Sequence, residues 1–419
     1  MRRLVLVVGS YRPDLCGVAH YTKRLAEELG RAGLEVILLT KRSPGSAHWR
    51  ENSVFRIEET TADWRFPSLP ALVRTIPHLD PDVVHVQHSP SSYDHTRAIL
   101  WLPLALRIAG WRGRLVSTLH EYGGWDANQP SLWGSLKSQM DKLGQRQGWW
   151  EPESLFLISL ADAVVVTNKP HQRAMERALP SVSPKLHLIP IGANIANEGP
   201  PARLEPGPAQ RAIAVGGRPL VSHFGFIHPV KGLETLLLAW PAVLRNYPRA
   251  RLLLIGNEQS LSLHGEEAES YVANLRRLTV RLGIESSVTF TGYQPDSVAS
   301  RLLSWSDLLV LPFNHGVTLK SGSLIAGLAH ALPIIATWPE EPTDQLRHGE
   351  NVFHVPPRDP AALAEAMLLV LADSRLRLRL RQGAASLGAA FSWPTIARRH
   401  LDVYEGLFSG KTGLGNPVH

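Results

Sequence analysis

Short apolar runs alternate with longer amphipathic stretches along this chain, and each kind of run predicts one kind of element. Residues 4–8 are continuously apolar and are followed by Gly9, which predicts a strand that is buried on both faces. Val18, Leu25 and Leu29 then recur at helical spacing, which predicts a helix after that strand. Repetition of this strand-then-helix unit is typical of a parallel sheet that is covered by helices.

Further strands are predicted wherever the continuous apolar signature returns. They are residues 35–40, 83–88, 114–120, 163–167 and 186–190, and then 220–224, 251–255, 288–291, 308–311, 334–336 and 352–355. Helical patterns lie between these strands, for example at residues 233–244 and 360–371. The chain is therefore predicted to be an α/β protein.

A stretch rich in glycine and proline at residues 196–219 interrupts the pattern and predicts a linker. It separates two doubly wound, Rossmann-like domains, residues 1–195 and 220–392, which are expected to face each other across a cleft. Residues 393–409 predict a C-terminal helix that packs back toward the first domain, and residues 410–419 predict a disordered tail. Ligands of such sheets bind at the carboxyl ends of the strands, so functional residues are expected directly after strands.

Composition and charge narrow the class of protein. The single cysteine, Cys16, excludes an internal disulfide and a multi-cysteine zinc site, and it fits a reducing compartment. No apolar run approaches the roughly 20 residues that span a bilayer, so a cytoplasmic protein is expected. The net charge is +7, and residues 97–146 hold seven Lys or Arg against three Asp or Glu. That local excess suits phosphate or anionic lipid, and it equally suits a solvated surface.

Several residues near the strand ends of the first half are candidates for ligand contact. Gly17, in the segment DLCGVAHY after the first strand, lets a ligand approach the backbone at a helix N-terminus that favours anions. His120 closes another strand and is placed to hydrogen-bond a substrate hydroxyl or the reacting centre. Glu121, His85 and His88 are expected to contact an acceptor or to line the wall beside it. Each of these residues alone also fits a purely structural role.

The loop after the first strand of the second half carries the segment GFIHPVKG. It begins with Gly225 and Phe226, and it brings Lys231 to the start of the next helix. An acidic side chain would suit the dipole of that first turn better, so a lysine there indicates a role in neutralising a phosphate. A solvent-exposed lysine with no ligand is the alternative.

A second loop with the same kind of chemistry follows the predicted strand 308–311. Ser321, Gly322 and Ser323 offer hydroxyl and amide donors at a helix start, which predicts a phosphate cradle. Lys320 adds a positive charge beside them, and Thr318 opens the loop. Ordinary helix capping is the alternative interpretation of the Ser-Gly-Ser sequence.

Taken together and in this order, these segments resemble glycosyltransferase family 4, which has the GT-B fold. The resemblance covers nearly the whole chain. It rests on the strings CGVAHYTKRLAEEL, PDVVHVQH, STLHEY, ADAVVVTN, LIPIGANI, FGFIHPVKGLETLLLAW, VTFTGY, SDLLVLPF, GLAHALPIIAT and NVFHVPPRDPAALAEAM.

The family implies retaining transfer of a sugar from a nucleotide-diphospho-sugar donor, with no bound metal and no cofactor. By this resemblance Gly17 lies in the loop that approaches the donor, and His120 lies near the transferred sugar. Lys231 matches the lysine that binds the diphosphate. Gly292 and Tyr293 fall in the loop beside the base.

The chain departs from the family pattern at three positions. Many members have an arginine where this chain has Phe226, so one phosphate cation is absent here. Many also have two glutamates, which align with Thr318 and Ala326, and neither position is acidic. The identity of the donor is therefore open, and Lys320 is expected to supply the charge that is missing at Phe226.

The expected function is transfer of a sugar from a nucleotide-diphospho-sugar to a glycan, a lipid-linked acceptor or a small molecule. Two alternatives stay open. One is a non-catalytic homologue that binds a nucleotide sugar or a partner enzyme, and the other is a nucleotide-sugar hydrolase or epimerase. Nucleic acid is not an expected partner.

Residues 132–150 have the composition of a membrane-surface segment. Trp133, Trp149 and Trp150 suit the headgroup boundary, while Lys137 and Lys142 suit anionic lipid. Peripheral contact with the inner face of the membrane is one interpretation. In the other, the apolar face packs on the first domain and the tryptophans line an acceptor groove.

Overall fold

The computed structural model describes residues 1–11, 16–42, 54–123, 143–144, 147–195, 197, 217–259, 263–341 and 343–409. These residues form two α/β units, each with its own sheet. The first unit comprises residues 1–191 together with the chain from Trp393 onward, and the second comprises Gly192–Ser392.

A seven-stranded parallel sheet forms the centre of the first unit. Its strands are β1 (Arg3–Val8), β2 (Glu35–Lys41), β3 (Arg56–Thr61), β4 (Val83–His88), β5 (Arg114–Leu119), β6 (Ala163–Val166) and β7 (Leu186–Leu188). Their order is β3-β2-β1-β4-β5-β6-β7, so the direction of winding reverses between β1 and β4. Loops that leave the carboxyl ends of β1 and β4 diverge there, which is where sheets of this type bind ligands.

Nearly all side chains of the central strands are buried, because helices cover both faces of this sheet. The helices are α1 (Gly17–Arg31), α2 (Leu69–His78), α3 (Leu102–Ile108), α4 (Phe156–Ser159), α5 (Lys169–Ala178) and the C-terminal α12 (Trp393–Gly406). Residues of α12 share one core with α1, since Ile396 and Tyr404 are buried beside Tyr21 and Leu25. The C-terminal helix thus completes the first unit.

A six-stranded parallel sheet forms the centre of the second unit. Its strands are β8 (Leu220–Phe224), β9 (Arg251–Ile255), β10 (Val288–Gly292), β11 (Leu308–Leu311), β12 (Ile334–Thr337) and β13 (Phe353–Val355). They are ordered β10-β9-β8-β11-β12-β13. Winding reverses between β8 and β11, so the loops after these two strands share one edge of the sheet.

The helices of the second unit pack on this sheet around a core that includes Leu236, Trp240, Val310 and Met367. They are α6 (Leu233–Asn246), α7 (Gly265–Arg281), α8 (Asp296–Trp305), α9 (Gly322–Ala329), α10 (Pro360–Ala372) and α11 (Ser374–Gly388). The Asp359 carboxylate caps α10 by accepting a hydrogen bond from the backbone amide of Ala362, one of the first-turn amides that have no partner within the helix.

Two features of the fold differ from the sequence prediction. Strand β3 was not predicted, because its sequence RIEETT is mostly polar and lies at an exposed edge of the sheet. Gly192–Ile195 also belongs to the second unit and not to the first, since the amide of Ala193 donates to the carbonyl of Phe391 at 3.0 Å. Residues Asp14 and Leu15, most of the predicted linker and the predicted disordered tail lie outside the described residues.

The segment predicted to contact membranes is described only in part. Leu143 and Trp149 are 52% and 55% exposed, whereas Trp133, Lys137 and Lys142 lie outside the described residues. In the part of the chain that the structure describes, no helix combines the length and the apolar character that crossing a bilayer requires.

Candidate functional site

Hydrogen bonds hold together the loops after β8 and β11, at the edge where the winding of the second sheet reverses. Gly232 has a φ of +63°, and a Cβ atom there would meet the carbonyl oxygen of Pro312 at 2.0 Å. Asn314 donates from its side chain to the carbonyl of Pro229 at 2.9 Å, and its amide donates to the carbonyl of Val230 at 3.0 Å. Only glycine permits this close approach, which fixes the position of Lys231 beside the β11 loop.

The side chain of Lys231 extends over an aromatic ring at this edge. Its Nζ atom lies 3.9 Å from the centre of the Phe313 ring, a cation–π contact. Burial lowers the pKa of Lys231 to about 8. The ammonium group is therefore charged at neutral pH but incompletely solvated, so it is available to form an ion pair with an anionic ligand.

The loop before α9 forms a hydrogen-bonded turn that caps the helix. Ser321 caps the helix by accepting from the amide of Leu324 at 3.4 Å, and its own amide donates to the carbonyl of Thr318 at 2.9 Å. The Thr318 hydroxyl accepts from the amide of Lys320 at 3.3 Å. Thr318 and Lys320 are exposed, whereas Ser321 and Gly322 are half-buried at the helix start. The predicted cradle is therefore a capped helix N-terminus, which favours an anion.

Two glycines of this edge bring separate loops into contact. Gly225 has a φ of +136°, and a Cβ atom there would lie 2.6 Å from the Oγ atom of Ser323. Gly322 faces a residue that the sequence interpretation missed, because its added Cβ would lie 3.3 Å from the side-chain nitrogen, Nδ2, of Asn194. Asn194 belongs to the string LIPIGANI, which was used for the resemblance but was given no role. The structure thus gathers Gly225, Gly322, Ser323 and Asn194 around the start of α9.

His223 is a second residue of this edge that the sequence interpretation missed. It lies in β8, is completely buried, and hydrogen-bonds through Nδ1 to the carbonyl of Val310 at 3.1 Å. Burial, with a smaller contribution from the charge of Lys231, lowers the pKa of His223 to about 3. Because Nδ1 must donate to that carbonyl, Nε2 is an acceptor, and it is buried without a partner among the described residues. An imidazole near the end of the mostly apolar strand LVSHF was the signal that could have found it.

The other second-unit candidates lie near this edge or along α9. Gly292 ends β10 with a φ of +65°, and the following Tyr293 is 47% exposed. Phe226 is half-buried beside Gly225. Ala326 is completely buried within α9, and its carbonyl accepts from Nδ1 of His330 at 2.8 Å. Position 326 is thus a buried, non-acidic position, and it departs here from the family pattern.

In the first unit, His120 stands directly after β5 and is held from two sides. Its amide donates to the carbonyl of His88 at 2.9 Å, and its Nε2 atom lies 2.9 Å from Oε1 of Gln87. The Tyr21 ring packs edge-on against it with the centroids 4.8 Å apart. Burial lowers the pKa of His120 to about 3, with smaller contributions from neighbouring histidines including His88. His120 is therefore a neutral imidazole at physiological pH.

Gly17 is the first residue of α1 and is exposed. A Cβ atom added there would meet no atom of the described residues within 4 Å, so the described part of the fold does not require glycine at this position. Open space above a helix N-terminus is what the predicted approach of a ligand needs.

The position of His85 corrects one sequence expectation. His85 is completely buried, with Nδ1 2.6 Å from the hydroxyl of Tyr404 and Nε2 2.7 Å from Oγ1 of Thr118. It therefore does not reach a surface on which an acceptor could lie. The sequence could not reveal this contact, because Tyr404 lies 319 residues after His85 in the chain. The two residues come together only when the covering helix packs on the sheet.

The remaining acceptor candidates lie near His120. His88 is 7% exposed and stacks on Tyr93 at a centroid distance of 5.7 Å. Burial lowers its pKa to about 4, and its Nδ1 atom is buried without a partner in the described part of the chain. Glu121 is exposed, and Oε1 accepts from the Ser89 hydroxyl at 2.9 Å. Contact of these two residues with an acceptor stays a prediction.

Metal-ligating side chains do not cluster in either unit as far as the structure describes them. No group of three or more His, Cys, Asp or Glu residues is placed to hold an ion within the described ranges. Positive charge at the second-unit edge is instead contributed by Lys231 and by the N-terminus of α9.

The fold and the residues at its strand ends define a class of protein. Two parallel α/β sheets of these strand orders, with helices on both faces, form the GT-B fold of glycosyltransferases. Residues 16–197 match the family model described as Glycosyltransferase Family 4, and residues 218–373 match the one described as Glycosyl transferases group 1. The chain belongs to the family 4 type of glycosyltransferase, a class of enzymes that transfer glycosyl groups.

Curated relatives are similar along nearly the whole chain. A D-inositol 3-phosphate glycosyltransferase of Corynebacterium urealyticum is 23% identical, over 94% of this chain and 91% of the relative. A GDP-mannose-dependent alpha-(1-6)-phosphatidylinositol monomannoside mannosyltransferase of Mycobacterium tuberculosis is 24% identical, over 97% of this chain and 99% of the relative.

Solved structures share the fold at lower identity. A glycosyltransferase from Rickettsia africae superimposes with a TM-score of 0.71 at 16% identity, covering 98% of this chain and 99% of that one. HepE of Anabaena, solved in complex with UDP, gives a TM-score of 0.68 at 18% identity, covering 97% of this chain and all of the other. The sequence prediction of the fold and of the family is thus confirmed.

Proposed function

We propose that this protein transfers a sugar from a nucleotide-diphospho-sugar to a hydroxyl group of an acceptor, with retention of configuration and without a metal ion. The observation that carries the proposal is the edge formed by the β8 and β11 loops. There the half-buried Lys231 with its ammonium over Phe313, the glycine of the β8 loop and the capped start of α9 lie at one edge of the sheet. These are the groups that a diphosphate requires.

Charge and hydrogen-bond donors at this edge complement a diphosphate. The Lys231 ammonium is poorly solvated, so pairing with an anion recovers part of the cost of its burial. The first amides of α9 carry the positive end of the helix dipole, which favours a phosphate oxygen there. Lys320, exposed beside them, adds a second charge where Phe226 provides none.

Lys231 and the first amides of α9 also stabilise the transition state of the transfer. Negative charge grows on the diphosphate as the bond to the sugar breaks, and fixed donors stabilise that charge without reorganising. Lys231 and the α9 amides thereby take the role that a divalent ion has in other transferases. His120, as a neutral imidazole, orients the sugar by hydrogen-bonding one of its hydroxyls.

The acceptor and the base of the donor are proposed as classes. Both curated relatives described above are named for inositol-containing acceptors, and one of them is named GDP-mannose-dependent. We therefore place inositol phosphates, phosphatidylinositol mannosides and GDP-mannose first among the substrates to test. Glycans, other lipid-linked acceptors and other small molecules remain in the proposed acceptor class.

A non-catalytic nucleotide-sugar-binding protein is the second candidate function. The observation in its favour is that Thr318 and Ala326 stand where many family members carry glutamates, and Ala326 is buried within α9. Binding without turnover would be the result of that arrangement. The ammonium of Lys231 over Phe313 and the hydrogen-bonded imidazole of His120 support catalysis instead.

The test begins with a thermal-shift screen of nucleoside diphosphates and nucleotide sugars, since ligands of the folded state raise apparent stability. Stabilising donors are then incubated with the acceptors, with and without excess chelator, and the anomeric product is identified by NMR. Retention and chelator-resistant turnover are expected. Binding without turnover would support the second candidate, release of free sugar or an isomer without acceptor would indicate a hydrolase or epimerase, and a strict metal requirement would reject the metal-free mechanism.

A further inference from the structure

A chain of completely buried polar groups connects His120 to the C-terminal helix. Nε2 of His120 lies 2.9 Å from Oε1 of Gln87, and Nε2 of Gln87 lies 3.2 Å from Nε2 of His85. Nδ1 of His85 lies 2.6 Å from the hydroxyl of Tyr404 in α12. Gln87, His85 and Tyr404 are each 0% exposed, so water does not compete for these hydrogen bonds.

The amide of Gln87 determines the direction of every hydrogen bond in this chain. Its oxygen can only accept, so Nε2 of His120 carries a hydrogen. Its nitrogen can only donate, so Nε2 of His85 is an acceptor and Nδ1 of His85 donates to Tyr404. A reversed amide would reverse all of these donors and acceptors. The tautomer of His120 therefore reports the orientation of Gln87.

Burial keeps His120 and His85, the two histidines of this series of hydrogen bonds, neutral. It lowers the pKa of His120 to about 3, and it holds the pKa of His85 well below the usual range. A neutral imidazole with a hydrogen on Nε2 has a lone pair on Nδ1. Nδ1 of His120 makes no hydrogen bond to any described residue, and the edge-on ring of Tyr21 fixes the plane in which it lies.

We propose that Gln87, His85 and Tyr404 are positioning residues that hold His120 as the Nε2–H tautomer, so that Nδ1 accepts a hydrogen bond from a hydroxyl of the ligand. Only the last step, contact with a sugar hydroxyl, rests on the proposed function. Tyr404 gives α12 a part in the site, because this helix anchors the inner end of the chain. The hydroxyl of Tyr21 adds a second link to α12, at 3.3 Å from Nε2 of His400.

The tautomer can be measured without a substrate in the ligand-free, full-length protein. Long-range proton–nitrogen NMR of protein labelled with ¹⁵N-histidine distinguishes the two neutral tautomers and the imidazolium. The His120 signals are identified by their loss in His120→Asn. We expect one neutral Nε2–H tautomer throughout the range of about pH 5 to 8 in which an ordinary histidine titrates. An Nδ1–H tautomer, an averaged mixture or titration in this range would overturn the proposal.

Substitution of Gln87 separates positioning from simple stability. Gln87→Leu removes both side-chain hydrogen bonds, so the His120 signals should shift toward a tautomer mixture. Gln87→Glu keeps an acceptor for His120 but adds a negative charge, so the Nε2–H form should persist while the pKa of His120 rises. Tyr404→Phe keeps the ring but removes the acceptor of His85, and a smaller change at His120 is expected. Unaltered His120 signals in Gln87→Leu would reject the positioning role.

Ser117→Ala is the matched control. Ser117 lies in β5, is completely buried and donates to the carbonyl of Leu157 at 2.8 Å, outside this chain of hydrogen bonds. Its loss should lower stability without changing the tautomer of His120. An equal tautomer change in this variant would show that the effect is structural.

Once a donor is known, the same variants test the consequence for catalysis. For Gln87→Leu we expect kcat to fall roughly 10- to 100-fold, the range for outer hydrogen-bond partners of metal-ligating histidines, with KM for the donor less affected. Gln87→Glu should retain more activity than Gln87→Leu and show a displaced pH profile. A loss confined to KM, with kcat unchanged, would contradict positioning. Absence of turnover with every donor would reject the proposed function but not the measured tautomer.

Discussion

The ammonium group of Lys231 lies 3.9 Å from the centre of the Phe313 ring, where the loops after β8 and β11 meet. The ring face attracts a cation but gives it no hydrogen bond, so the ammonium is held in place while its donors remain available. Burial has already lowered its pKa to about 8. A phosphate that pairs with this ammonium gains more than it would from a fully hydrated lysine.

Replacement of Lys231 is the most direct test of the diphosphate site. Lys231→Ala is expected to reduce turnover by about 10²-fold, or about 3 kcal/mol, because charge on the leaving diphosphate is no longer compensated. Steady-state kinetics with the cognate donor measure this effect. Arg245→Ala removes an equal charge from the exposed side of α6 and should leave the rate unchanged. A wild-type rate in Lys231→Ala would exclude Lys231 from the site.

Donor affinity should depend on pH through the same residue. Below about pH 8 the Lys231 ammonium is charged, whereas above this pH a diphosphate binds only with uptake of a proton. Affinity is therefore expected to fall above pH 8, by up to about tenfold per pH unit. Calorimetric titration with UDP, GDP and ADP over this range measures it. Lys231→Arg should make the affinity independent of pH there, and a flat wild-type profile would contradict the assignment.

Gly17 allows function to be separated from folding. A side chain at this position meets no described atom, so Gly17→Ala and Gly17→Val should leave the melting temperature nearly unchanged. If a ligand approaches the start of α1 as expected, Gly17→Val should nevertheless reduce activity strongly, and Gly17→Ala less so. Gly406→Ala, at another open glycine, is the control. Full activity in Gly17→Val would show that no ligand comes this close.

Lys320 is expected to compensate for the cation that is absent at Phe226. Lys320→Ala should weaken binding of the cognate nucleoside diphosphate by about tenfold, the size of one charge-assisted hydrogen bond. Adding Phe226→Arg to that variant should restore part of the affinity, because it returns a positive charge to the same edge. Calorimetry on the single and double variants measures both effects. Unchanged affinity in Lys320→Ala would remove Lys320 from the proposed site.

Membrane contact is a separate expectation, based on the tryptophans and lysines of residues 132–150. The full-length protein should float with anionic vesicles at low salt, where attraction is least screened, and float less at high salt. Lys137→Glu combined with Lys142→Glu should abolish flotation. Lys169→Glu with Arg173→Glu makes the same charge change on exposed positions of α5 and should not. Failure of the wild-type protein to float at low salt would end the proposal.

The amino-acid sequence by itself determined every observed strand except β3, the type of each unit and the loops that were expected to carry chemistry. Buried strands such as β6 and β11 are continuous apolar runs, so their position follows from local composition. Lys231 and Ser321 were also found locally, because each stands at a fixed place between a strand and the next helix. Local pattern is sufficient wherever the physical constraint acts between residues a few positions apart.

Tertiary structure decided what those residues touch. Ser323 meets Gly225 across 98 positions of sequence, and Tyr404 meets His85 across 319, distances over which no periodicity in the sequence carries information. The sequence therefore presented His85 as a wall residue, although the covering helix buries it and makes it part of a chain behind His120. Burial also sets the pKa of Lys231 and of His120, since loss of solvent depends on every element packed around a group.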